Sequence, residues 1–292
     1  MGTGYVIYDG LSQLDHSSNV IAVVNTIGGD SHNKKIGPLA QAWFFRGDMH
    51  PMDAIKSGGD TAICGNCVFG NGNGCYVGKH VIGSVYAAWK RGSYPTKDPA
   101  TVGRFVSLFV QAKRIAGLRL GAYGDPASVP FSVIQQLCDP VREVNGVVVG
   151  YTHQWTEKYA LPGGLADPRL AQYAMASAHG PVEAHASTQQ GWRPFTVLTD
   201  MEHRTAHKPG GFHLGICPAS NEGRELRKNP EIGPSCATCG ACDGVRGPED
   251  KRSGISVLVH GSVNVLRKAY DALGLPDRKA QVKRVLTIKA SE

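Results

Sequence analysis

The sequence predicts an α/β fold, a complete or partial β/α barrel, with an open doubly wound sheet as the second arrangement. Three observations carry that prediction. Short apolar runs alternate with helical patterns from about residue 118 onward, which is the signature of a mostly parallel sheet with helices outside it. At least six such runs are present, enough strands for a barrel or a large part of one. The residues that close the runs are polar: Asp125, His153 with Gln154, Ser177 with His179, Thr199 with Asp200, Cys217 and His260. In both arrangements chemistry sits at the carboxyl ends of the strands. The 292 residues read as one domain, 1–292, with two cysteine-rich insertions at 56–78 and 212–253.

Residues 1–36 give little pattern, apart from the strand-like run Asn19–Val24. Gln41–Phe45 reads as a short buried strand. Val77, Val81, Val85 and Trp89 recur every four residues, with Ile82 and Tyr86 on the same face, so a helix is expected there, stopped by Gly92 and Pro95. A second helix is expected from about Val102 to Ala116, ended by Gly117. Leu118–Tyr123 reads as a strand, with Asp125 or Ser128 capping a helix at 130–138. Gly146–Trp155 is the next strand, and Asp167 starts a short helix. Strands at Tyr173–Ser177 and Pro194–Thr199 flank a helix at Pro181–Gln190. A polar loop, 200–211, leads to the run Phe212–Cys217. Gly254–His260, a helix at Val263–Leu273 and a strand at Val282–Ile288 complete the pattern.

The cysteines are the strongest chemical signal. Cys64, Cys67 and Cys75 are spaced C-x2-C-x7-C, with four glycines and three asparagines between them and little to build a core. Thiolates wrapped round an ion or cluster would order such a loop. Downstream, Cys236, Cys239 and Cys242 read C-x2-C-x2-C, with Cys217 nineteen residues earlier. Cys138 stands apart and reads as a small buried hydrophobe on a helix. Disulfides belong to oxidising compartments and mostly to small chains, and Met1–Tyr5 has neither the basic region nor the apolar run of a secretory signal. Metal binding is therefore expected at both groups, in the cytoplasm. Four thiolates downstream suit an iron–sulfur cluster or a structural zinc. His260 supplies another possibility, zinc on Cys236, Cys239, Cys242 and His260. Upstream, three thiolates suit a [4Fe–4S] cluster with one open iron, or zinc completed by His80. One or two clusters are expected in all, with zinc as the alternative.

Arg119, Gly121, Tyr123 and Asp125 share one face by the two-residue period of a strand, as do Tyr151, His153 and Trp155. If those faces line a barrel, Arg119 and Asp125 point into one cavity, and the phenol, imidazole and indole suit a planar base. The plainer readings are an ion pair with a helix cap for Arg119 and Asp125, and core filling for His153 and Trp155. Asp125 and His153 are the acid/base candidates. The net charge of +7 agrees with a polyanionic partner, nucleic acid or a nucleotide. The basic residues, Lys34-Lys35, Lys90-Arg91, Arg224, Arg227-Lys228, Lys251-Arg252 and the tail around Lys279–Arg284, form no single stripe. The 37 glycines and 17 prolines are dispersed and argue for tight turns rather than disorder. No run of eighteen apolar residues is present, so no membrane span is expected. Nothing in the sequence indicates an oligomeric state.

At Gly74-Cys75-Tyr76, Arg119–Pro126, Gly150–Trp155, Cys217-Pro-Ala-Ser and Cys236–Cys242, over roughly residues 30–262, the chain resembles a poorly characterised family of tailed-bacteriophage proteins. The Gly-Cys-Tyr helix start is also similar to phage families with a radical-SAM-like barrel. The resemblance implies a cluster-bearing barrel working in the cytoplasm of the infected host. The radical-SAM pattern is C-x3-C-x2-C, whereas this chain has C-x2-C-x7-C, so S-adenosylmethionine stays an open expectation. A weaker resemblance is to guanine transglycosylases of tRNA and phage DNA, barrels with a zinc site of three cysteines and one histidine and two catalytic aspartates. It implies zinc at Cys236, Cys239, Cys242 and His260, with Asp125 and Asp200 as nucleophile and base candidates. The expected function is thus a metal-dependent, iron–sulfur phage enzyme acting on nucleic acid or a nucleobase. The alternatives are a zinc DNA-guanine transglycosylase and a non-catalytic nucleic-acid-binding or virion-associated protein whose metals staple loops.

Overall fold

The computed structural model describes residues 3–29, 33–70, 75, 79–198, 214–220, 223–224 and 233–259, together with Lys268, Asp271 and Leu273. The chain opens with β1 (Thr3–Leu11), β2 (Asn19–Ile27) and β3 (Leu39–Arg46), paired antiparallel in that order. Val20 to Val24 are all fully buried, as expected of a strand covered on both faces. Helices α1 (Pro51–Ser57), α2 (Thr61–Cys64), α3 (Lys79–Lys90) and α4 (Pro99–Gln111) follow, before β4 (Gly117–Tyr123) returns parallel to β3. Asp98 caps α4 by accepting from the Thr101 N–H. Helix α5 (Phe131–Glu143) leads to β5 (Val147–Val149), parallel to β4, and then directly to β6 (Tyr151–Thr152).

The order within this first sheet is β1-β2-β3-β4-β5, part antiparallel and part parallel. The second sheet is parallel throughout. It holds β6, β7 (Met175–His179), β8 (Pro194–Leu198), β9 (Leu214–Ile216) and β10 (Gly254–Leu258), in the order β6-β7-β8-β10-β9. Helix α6 (Pro181–Gln189) crosses between β7 and β8, and the short α7 (Cys236–Cys239) precedes β10. One run of chain, Val147–Thr152, therefore serves both sheets. It divides at Gly150, whose N–H turns to the Cys242 carbonyl (3.3 Å) and whose own carbonyl accepts from Met175 N–H (2.9 Å).

Several expectations are corrected. The opening residues hold a full strand, β1, which pairs with β2. The strand expected over 146–155 stops at Thr152 and is split in two. Helix α4 ends at Gln111, five residues short of Ala116, so that Ala116 N–H can bond Pro38 O (2.8 Å) and begin β4. Helix α5 runs on to Glu143 through Pro140. Pro140 has no N–H for the Gln136 carbonyl. Helix α4 packs over that defect at Gly103, so closely that a Cβ there would lie 3.0 Å from Gln136 O and 2.5 Å from Leu137 O. Asp125 caps a single 3-10 turn, Pro126–Ser128, ahead of α5. The loop at 200–211, the strand expected at 282–288 and most of the helix expected at 263–273 lie outside the described residues, although Lys268 and Asp271 are helical.

Candidate functional site

Alternate residues of the parallel strands face one partly open cavity of about 310 Å³. Arg119, Gly121 and Tyr123 come from β4, Val149 and Tyr151 from β5 and β6, Ser177 and His179 from β7, Phe195 and Val197 from β8, and Ile255 and Val257 from β10. The two-residue strand period places them there, while Leu118, Leu120 and Ala122 face the opposite way into the core. Both cysteine groups line this same cavity: Cys64, Cys67 and Cys75, and Cys217, Cys236, Cys239 and Cys242. Asp125 and His153 line it as well.

The first group is held by its own backbone. Gly65 has φ 56° and ψ −147°, a conformation open only to glycine, and a Cβ on it would sit 2.3 Å from Gln154 Oε1. The Gln154 amide donates to Cys64 O (2.9 Å), Asn66 N–H donates to Tyr159 O (2.7 Å), and Asp125 N–H donates to Ile63 O (2.7 Å). The segment also has apolar anchors that the reading of a coreless loop passed over. Ile63 is buried in the main core, and Phe69 packs with Val197, Val257 and Val259.

The second group is fastened by main-chain bonds and by arginines. Cys236 N–H donates to Lys35 O (2.9 Å) and Ala237 N–H to Ile36 O (3.0 Å), while Ser235 and Thr238 form a reciprocal cap on α7. Arg193, whose side chain is 7% exposed, donates to Ala241 O (3.0 Å), Gly244 O (3.0 Å) and Ser253 O (2.8 Å) and reaches Asp243 Oδ1 (3.3 Å). Asp243 also receives Arg252 and Arg246 at 2.6 Å each. Arg142 donates to Asp243 O (2.6 Å) and to Gln172 O.

Tyr151 and Phe195 lie with ring centroids 4.5 Å apart, their planes tilted by 48°. Two residues beyond Tyr151, the His153 Nε2 lies 3.7 Å from Cys67 Sγ and 3.2 Å from His179 Nε2. The two rings are nearly parallel, 17° between planes. Glu183 accepts from His179 N–H (2.8 Å) and from the Tyr159 hydroxyl (2.6 Å), which steadies the pair from behind. Burial pushes His153 down to about 3, with His179 adding to the effect, and pushes His179 down to about 4. Both imidazoles are neutral at pH 7, so one Nε2 donates and the other accepts.

Asp125 has both oxygens engaged by main chain: Oδ1 accepts from Ala127 N–H and Oδ2 from His153 N–H, each at 2.9 Å. Burial raises its carboxyl to about 6 despite those bonds. The thiols are raised too. Burial carries Cys67 to about 12, and burial, followed by the nearby Cys67 thiol, Asp60 and other acidic groups, raises Cys64 well above the ordinary thiol range. Cys217, Cys236 and Cys242 move upward for the same reason, each influenced by its neighbours in the group. All eight cysteines are free thiols.

The chain matches no family model, no curated protein and no solved structure.

Site and fold therefore rest on the chain's own residues. Seven sequence-selected cysteines, Arg119, Asp125 and His153 come together around one cavity. Asp200 and His260 lie outside the described residues, as does the side chain of His80. Trp155 does not join Tyr151 and His153. It is 4% exposed in the core and donates to Ser177 O (2.8 Å), because the strand and its two-residue period end at Thr152. Sequence reading named His179 among the polar strand ends without giving it a role, and passed over Lys35 and Asp60 as site residues. His179 carried a usable signal, since it ends β7 as His153 follows β6; Lys35 and Asp60 carried none.

The donor set fits a metal centre in kind: seven part-buried thiols in two groups, with no disulfide among them. Among the described residues no group of three or more Cys, His, Asp or Glu side chains is placed to hold one metal ion. Binding would require the thiols to lose their protons and converge.

Proposed function

We propose that the chain is a metal-dependent enzyme, with iron–sulfur chemistry on Cys64, Cys67 and Cys75, acting on a nucleobase or nucleic acid within a partial β/α barrel. The observation that carries this reading is that both cysteine groups face one cavity together with Arg119, Asp125 and His153. Loop staples would have no need to share an interior space with a neutral histidine pair. A cluster on the three upstream thiolates would supply one-electron chemistry and an open iron position. Cys217, Cys236, Cys239 and Cys242 would hold a second centre, structural or electron-relaying. Tyr151 and His153 bring the two groups near each other: Tyr151 influences Cys242, and two residues on, His153 Nε2 lies 3.7 Å from Cys67 Sγ.

The chain's own residues perform the remaining tasks. Tyr151, Phe195 and Phe69 form flat apolar walls against which a planar ring stacks and from which water is excluded. His153 Nε2 and His179 Nε2 hold one proton between them at the cavity wall, placed for transfer to or from a bound molecule. Asp125 acts as a positioning residue through the His153 backbone. Support for a nucleobase comes from these ring-shaped walls, the net charge of +7 and the resemblance to phage families; S-adenosylmethionine belongs to the same reading only through that resemblance. The transglycosylase alternative asks Asp125 to be a nucleophile, and its two backbone bonds weigh against that role. The test is iron and sulfide per chain after purification without oxygen, in wild type and in Cys64→Ser and Cys236→Ser. Each variant is expected to lose one centre and keep the other. Iron unchanged in Cys64→Ser would overturn the assignment of the upstream site.

A further inference from the structure

We propose that Arg119 anchors an oxyanion-binding site inside the cavity, and that its ligand is a small molecule carrying a carboxylate or a phosphate. The proposal rests on the reading of the cavity as a reaction chamber and adds the chemical class of what enters it. Arg119 sits on β4 in register with Gln41 of β3 and Val149 of β5, inside the parallel part of the first sheet. Its side chain faces the cavity. Among the described residues it has no hydrogen-bond or ion-pair partner. Tyr151 and Cys236 are the groups that act on it electrostatically. Arg193, by contrast, donates to three carbonyls and shares the Asp243 carboxylate with Arg246 and Arg252. Arg119 is part-buried and turned to the cavity with no acceptor among the described residues, so its position suits an anion that pairs with it.

The rest of the cavity is consistent in charge and size. Its two carboxylates, Asp60 and Asp125, lie by the first thiol group, where both act on Cys64. Its second cation, Lys35, lies by the other group, where it acts on Cys217 and Cys236. The chamber is thus polarised, positive at the Arg119 end. A guanidinium presents its donors as a planar fork that matches carboxylate or phosphate oxygens in pairs. A volume of about 310 Å³ is at the small end for ligand pockets and fits a single small molecule. The Tyr151 and Phe195 rings beside it would give an apolar contact to a flat ring borne by the same molecule.

The test is calorimetric titration of the full chain with inorganic phosphate, acetate, adenosine and adenosine 5′-monophosphate, with iron measured on the same samples. At least one oxyanion is expected to bind, adenosine to bind far more weakly than its monophosphate if the group is a phosphate, and acetate to bind if it is a carboxylate. Arg119→Gln should weaken binding on the order of 10–100-fold and Arg119→Lys by less, since Lys keeps the charge and loses the fork. Arg119→Lys also serves if the Gln variant does not fold. Binding of no oxyanion by folded wild type, or equal binding by Arg119→Gln, overturns the proposal. So does a wild type that binds none while Arg119→Gln loses iron, because Arg119 then serves the thiolates. Iron-free protein that binds phosphate through Arg119 would leave this inference standing and remove the cluster reading; iron-replete protein that binds no oxyanion would do the reverse.

Discussion

Replacing Arg193 by Met should loosen the second cysteine group more than any change to a surface charge near it. Arg193 is 7% exposed and ties Ala241, Gly244 and Ser253, on both sides of the segment that carries Cys242, to the start of β8. Each such bond from a charged donor is worth about 1.5–3 kcal/mol; Ala241 O and Ser253 O would lose theirs, while Gly244 O keeps Arg252. Against that, the variant no longer takes a guanidinium out of water, which costs several kcal/mol. Asp243 also keeps Arg246 and Arg252. The net loss should be about 3–5 kcal/mol, a fall of roughly 10 °C in thermal midpoint for a chain of this size. Arg246→Met is the control. Its side chain is 64% exposed, so its ion pair should matter by less than about 1 kcal/mol. Thermal unfolding by circular dichroism compares the three proteins, and metal content reads the local effect, which should fall in Arg193→Met alone. A midpoint for Arg193→Met within a degree or two of wild type, or equal to that of Arg246→Met, would refute the view that this arginine fixes the second group.

Three further outcomes are expected. Gly65→Ala forces a side chain into a glycine-only conformation and onto Gln154, so it should cost about 1–3 kcal/mol and lower metal retention at the first group while sparing the second; metal analysis beside a Cys236→Ser background separates the two. Gly103→Ala gains about 1 kcal/mol of helix propensity but drives a Cβ against the Leu137 carbonyl, for a net loss of about 1–2 kcal/mol in chemical denaturation. Asp250 is held well below the usual carboxylate range, first by its hydrogen bond from Arg252 and then by the Arg246 and Arg252 N–H groups. A depressed carboxyl stabilises the fold above its ordinary value near pH ~4, and that contribution is lost as the pH falls toward its folded value. Asp250→Asn should therefore be less stable than wild type at pH 7 and approach it below about pH 3. A constant gap between the two across that range would count against the assignment.

The parallel part of the fold was legible because buried parallel strands are short apolar runs closed by glycine and polar residues, as at Leu118–Tyr123 and Pro194–Leu198. The cavity face of β4 followed from strand period alone, which put Arg119 and Tyr123 on the same wall. Thiol spacing marked both cysteine groups without any knowledge of what lies between them. What sequence reading lost depends on distant partners. β1 is a strand because β2 pairs with it, not because its own residues alternate cleanly. Pro140 breaks a helix in isolation and not under Gly103. Trp155 leaves the cavity because the strand ends three residues before it. His153 and His179 are 26 residues apart, and only the pairing of β6 with β7 brings their Nε2 atoms to 3.2 Å.

The measurement that bears most directly on the central claim is metal and sulfide analysis, with a visible spectrum, on protein purified without oxygen. The account predicts brown protein with a broad visible absorption bleached by dithionite, and about eight irons with matching sulfide per chain, two four-iron clusters. Colourless protein holding zinc alone would contradict it.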